Sequence, residues 1–69
     1  MEYEILVLWD DEASVWVASN DTLPLSLESG SLDRLMEKVR YTAIEMAESN
    51  HLEMPEYLRF RMDAREKVG

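Results

Sequence analysis

Three consecutive carboxylates, Asp10, Asp11 and Glu12, lie between two runs rich in tryptophan and valine in the stretch LWDDEASVWVAS. Clustered carboxylates are the hard oxygen ligands that Mg²⁺ requires, and paired ions held in this way stabilise the attacking and leaving oxygens in nucleases. Such sites draw their ligands from separate strands, whereas adjacent residues in a tight turn splay apart. Aspartate side chains in turns bond nearby backbone, so the triplet reads as the solvated tip of a hairpin. His51 is the single histidine. A general acid or base needs an orienting partner, and no Ser, Cys or Lys stands with His51 in a recognisable motif. Its place just after a predicted helix suits a charge–dipole contact with the carbonyl end instead.

Arg59, Arg61 and Arg65 alternate along the C-terminal stretch YLRFRMDARE, with Tyr57 beside them. A basic strand flanked by an aromatic residue is able to bind RNA by charge and stacking. The basic count is small, however, and the whole chain carries 15 acidic against 7 basic residues, a formal charge of −8. A molecule of that balance, with a pI near 4.4, repels phosphate and favours a basic partner, so nucleic acid is not expected. The arginines fit the solvated face of an edge strand or a protein contact. Trp16, Tyr57, Arg59 and Arg61 are the candidate partner-binding residues.

Met36, Met46, Met54 and Met62 fall at apolar positions of the predicted elements and read as core filler. The chain contains no cysteine, which removes disulfides, thiolate metal sites and thiol nucleophiles and suits a reducing interior. Its sequence holds no glycine-rich phosphate loop, nucleophile elbow, zinc spacing or calcium loop. No enzymatic activity, cofactor or resident metal is therefore expected.

The elements that would position these residues follow from periodicity. Residues 2 to 9, EYEILVLW, place Tyr3, Ile5, Val7 and Trp9 on one side of a strand and Glu2, Glu4, Leu6 and Leu8 on the other. SVWVAS alternates again, with Val15 and Val17 opposing Trp16 and Ala18, and makes the second arm of a hairpin. Asn20, Asp21 and Thr22 are turn material, and a third strand runs through LPLSLES, with Pro24 marking its start or an edge. Ser31 is placed to cap a helix, and Asp33 suits the positive end of its dipole. Leu32, Leu35, Met36, Val39, Ala43, Met46 and Ala47 form its apolar stripe, and Asn50 is the expected left-handed cap. Leu58, Phe60, Met62 and Ala64 then alternate with Tyr57, Arg59, Arg61, Asp63 and Arg65 as a fourth strand.

The expected fold is an α+β two-layer sandwich in the order β-β-β-α-β, an antiparallel meander with one helix on one face, forming a single domain over residues 1–69. One helix covers only one face of a sheet. Both faces carry apolar residues, and Trp9 and Trp16 stand at positions of different parity, so a second chain covering the other face, a homodimer, is expected. Self-association would also help a 69-residue chain, because domains of that size bury only about 60% of their unfolded surface. The longest apolar run, Ile5 to Trp9, is far short of the roughly 20 residues that a membrane span needs. The first residues also lack the order of a signal peptide. A soluble, cytoplasmic protein without membrane contact is expected.

The motif Trp9, Asp10, Glu12, Ala13, Val15, Trp16, Val17 and Ala18, followed by Asp21-x-Leu-Pro-Leu-x-Leu-Glu-Ser29 and the capped helix SLDRLMEKV, resembles the HicB-like family, in its short stand-alone branch catalogued as a domain of unknown function. The likeness covers residues 3 to about 48. It implies a degraded RNase H-like fold without the catalytic carboxylates. Full-length HicB antitoxins use that domain to bind and block HicA, a small, basic, mRNA-cleaving toxin with a double-stranded-RNA-binding-like fold. The resemblance thus implies an antitoxin-type binding module, with acidity suited to a basic toxin. Two departures accompany it. The chain has no room for the DNA-binding module of the full-length proteins, so autoregulation through DNA is not expected of it. Leu23-Pro24-Leu25 also lacks the glycine of the family's Ile-Pro-Gly-Leu segment, which changes the shape of that turn.

Overall fold

Strand alternation decides which side chains can share a face, and pairing register decides which face each set occupies. The computed structural model of the protein describes residues 1–63. Its elements are β1 (Glu2–Asp10), β2 (Val15–Asn20), β3 (Leu25–Ser29), α1 (Leu32–Ser49) and β4 (Tyr57–Asp63), which is the expected order. The expected continuation of the last strand through Ala64 and Arg65 lies outside the described residues.

The sheet order is β3-β2-β1-β4. β1 to β3 form the antiparallel meander, while β4 pairs parallel with β1. The sheet is therefore mixed, and β3 and β4 run in the same direction at opposite edges. A chain that must cross the sheet without reversing needs a long connection. α1, with 18 residues, supplies about 27 Å of it.

Register places Tyr3, Ile5 and Val7 of β1, Ala18 of β2 and Leu25 of β3 beneath the helix, where all are buried. The helix answers with Leu35, Val39, Ala43 and Ala47, a seam repeating every four residues. Ser31 caps it as expected, its hydroxyl accepting from the Arg34 amide at 3.4 Å. At the other end the expectation is corrected. Asn50 has φ −101° and is not left-handed, and the left-handed residue that turns the chain away is His51 at φ 55°. Asn50 instead stops the helix by donating, from both its backbone and its side chain, to the Met46 carbonyl.

Two further contacts close the core. The Asn20 carboxamide oxygen accepts from the Leu23 amide at 2.7 Å and folds the β2–β3 turn inward, so that Leu23 is fully buried although it lies outside any strand. The Tyr3 hydroxyl donates to the Glu53 carbonyl at 2.6 Å, fastening the α1–β4 connection to β1.

The tryptophan parity argument is also corrected. Trp9 and Trp16 are direct partners across β1 and β2, so they share the helix-side face, with ring centroids 5.2 Å apart and planes at 59°. In an antiparallel pair the sum of the two residue numbers is constant, here an odd number, so partners on one face necessarily differ in parity. Met46 packs against the core as expected, but Met54 and Met62 are 46% and 48% exposed. α1 lies over β3 and β2 rather than over β4, which leaves Met62 without a roof.

Candidate functional site

The acidic triplet is built as a turn. The Asp10 carboxylate accepts from the Glu12 and Ala13 amides at 3.1 and 3.3 Å, and the Asp11 carboxylate accepts from the Trp9 indole at 3.3 Å. Ser14 completes the reversal at φ 55°. Among the described residues no three His, Cys, Asp or Glu side chains gather into a group able to hold a metal ion. The carboxylates set hairpin geometry because short acidic side chains satisfy backbone donors that a four-residue loop leaves unpaired. Asp10→Ala is expected to cost about 1 kcal/mol in urea unfolding, while Asp10→Asn, which keeps the accepting oxygen, stays near the parent. An equal loss in both variants would assign the effect to charge rather than to the turn.

The face away from the helix carries a different surface. Register puts Leu6 and Leu8 of β1 beside Val15 and Val17 of β2, an apolar strip at the centre of the open sheet. Leu8 is 38% exposed, and the other three are half-buried. The same parity brings Glu2, Glu4, Asp10, Glu28 and Asp63 to this face, against the two guanidinium groups of Arg59 and Arg61. Those arginines lie 3.8 and 3.7 Å from Glu2 and Glu4 respectively. All four side chains are well exposed, so these pairs order the rim more than they stabilise the fold.

The structure divides the residues that the sequence singled out. Tyr57, 70% exposed, joins Arg59 and Arg61 on the open face. Trp16 is half-buried on the helix side, against Trp9 and the core, and is not brought together with them. Arg65 lies outside the described residues. His51 is exposed and donates its backbone amide to the Glu48 carbonyl at 3.3 Å. No charged side chain is buried among the described residues.

A concavity beside β4 was not anticipated from the sequence. A groove of about 340 Å³ opens between α1 and β4, lined by Arg40, Ile44, Pro55, Glu56, Leu58 and Phe60 among others. Ile44 is 49% exposed and Tyr41 67%. Both are apolar residues that lie off the predicted helical stripe, and that displacement was the available signal.

No helix of the described residues is long and apolar enough to cross a membrane. The family model described as "Domain of unknown function (DUF1902)" matches residues 2–68. Among solved structures, the chain is similar to hypothetical protein TTHA1013 from the extremely thermophilic bacterium Thermus thermophilus. The two are 30% identical with a TM-score of 0.75, and the match covers 100% of this chain and 99% of that one. No curated protein matches the chain.

Proposed function

We propose, from the premise that this chain belongs to the DUF1902 family of domains of unknown function, that it is a non-enzymatic protein-binding module whose open sheet face receives a small basic protein. The observation that carries this reading is the apolar strip of Leu6, Leu8, Val15 and Val17, rimmed among the described residues by five carboxylates and two arginines. Apolar area supplies the attraction, and the acidic rim steers a cationic partner and rejects nucleic acid. Tyr57, Arg59 and Arg61 border the strip on β4, and Trp16 supports β2 from the opposite side. Charged groups confined, among the described residues, to the surface, and an acidic triplet spent on its own turn, favour binding over catalysis.

The HicB resemblance narrows the partner to a HicA-type mRNA-cleaving toxin, which this module would occlude. Self-association as a homodimer and a cytoplasmic location belong to the same reading. The test mixes the chain with a cognate HicA-type toxin, where co-elution and protection of RNA are expected. Failure of both would remove the antitoxin reading. Mg²⁺-dependent RNA cleavage that disappears in Asp10→Asn would replace it with a nuclease.

A further inference from the structure

Among the described residues β4 is an edge strand paired on one side only, by β1. Protein sheets usually protect such edges by shortening them, bulging them, or placing proline or charges on them, an inward-pointing charge included, and on β4 the charges Arg59, Arg61 and Asp63 all stand on the open face. The opposite edge, β3, has five residues and follows Pro24. β4 has seven, YLRFRMD, without proline or glycine, and its helix-side residues Leu58, Phe60 and Met62 are all apolar. Because α1 lies over β3 and β2, Phe60 is only half-buried, Met62 is 48% exposed, and the groove beside Ile44 stays open.

We infer that β4 pairs antiparallel with β4 of a second copy about a two-fold axis at Arg61, joining the two sheets edge to edge. This rests on the self-association in the reading above and gives it a surface, leaving the open face to the basic partner. The charges on the strand select both the occupant and the register. Residues facing each other across a two-fold pair must lie on the same face, so the axis must pass through a residue. Three positions keep at least five residues of Tyr57–Asp63 in the pair. An axis at Phe60 sets Arg59 against Arg61 twice, and one at Arg59 sets Arg59 against itself with no opposite charge gained. An axis at Arg61 sets Arg59 against Asp63 of the second copy twice and Phe60 against Met62 twice. Opposite charges placed directly across strands are favourable, like charges are not, and a thioether suits an aromatic neighbour. The one like pair, Arg61 with its copy, is offset by Glu4, 3.7 Å from each guanidinium in its own chain. The merged helix-side layer then covers Phe60 and Met62.

Sedimentation equilibrium over a dilution series should show a species of twice the 8.1 kDa chain mass, reduced to the monomer by Met62→Lys, which places a charge on the inward side of the edge. The exposure of Met62 lets the fold tolerate that change, as circular dichroism would verify. Asp63→Arg should weaken the dimer, and adding Arg59→Asp should restore it. The chain has no cysteine, so Arg61→Cys introduces one thiol at the axis. It should oxidise to a linked dimer, since directly opposed residues bring Cα atoms within about 4.4–6.8 Å. Asp63→Cys, whose copies would sit four positions apart, about 13 Å along the strands, should stay unlinked. A wild-type mass that remains monomeric throughout overturns both the edge pairing and self-association. A dimer that survives Met62→Lys overturns the edge alone, and equal linking of both cysteine variants overturns the axis. Co-elution of Met62→Lys with the toxin is expected to persist, so failure of toxin binding is read separately.

Discussion

Leu35→Ala is expected to lower the stability of the fold severely. Leu35 is completely buried at the N-terminal end of the α1 seam and belongs to one core with Ile5, Leu23, Leu25 and Val39. Removing a buried leucine to Cβ costs about 2.7–5 kcal/mol, the larger values where the surroundings do not collapse into the space. A domain of 69 residues has roughly 3.5–10 kcal/mol to lose, at about 0.05–0.15 kcal/mol per residue. The substitution therefore removes about a quarter of the stability at the least and more than all of it at the most. Thermal unfolding followed by circular dichroism checks this. A loss below about 1 kcal/mol would show that the seam is not the centre of the core. Met62→Ala, at a residue 48% exposed, should by contrast stay within about 1 kcal/mol of the parent.

Leu8→Lys is expected to abolish binding of the basic partner while the fold survives. Leu8 sits at the centre of the open-face strip, opposite Val17 and in register with Asp63. At 38% exposure the new ammonium group reaches water and a neighbouring carboxylate, so the sheet accommodates it. For the partner the change removes an apolar anchor and adds a charge of its own sign. Truncating an interfacial anchor costs about 2 kcal/mol or more, about a thirtyfold loss, before repulsion is counted. Titration calorimetry with the toxin measures it. Unchanged affinity, in a variant that remains folded, would move the binding surface away from the open face.

How far these sites were legible can be judged from particular residues. The strand at Glu2–Asp10 and the helix from Leu32 were readable because alternation and a four-residue apolar repeat are local properties of a polar and apolar pattern. So was the reading of Asp10 as a turn residue, since it rests on bonds to amides two and three positions away. Asn50 and His51 exchanged roles because two adjacent residues can both adopt unusual dihedrals, and the path to Leu52 decides between them. Trp9 and Trp16 were misassigned because facing requires register, which no single strand contains. The groove beside Ile44 was missed because it exists only where the helix fails to reach β4.

By itself, the sequence determined the order of five elements, the apolar stripe of each, the turn of the first hairpin, the helix's N-terminal cap, and a strongly acidic surface. These follow from side-chain chemistry acting over a few residues. The tertiary structure alone decided that β4 lies parallel to β1 at an edge, that the tryptophans share the helix side, and that Trp16 is parted from Tyr57, Arg59 and Arg61. Those facts depend on which backbone edges meet across the sheet and on where one helix comes to rest. Pairing and helix placement are settled by burial summed over the whole chain, and no local stretch encodes that sum.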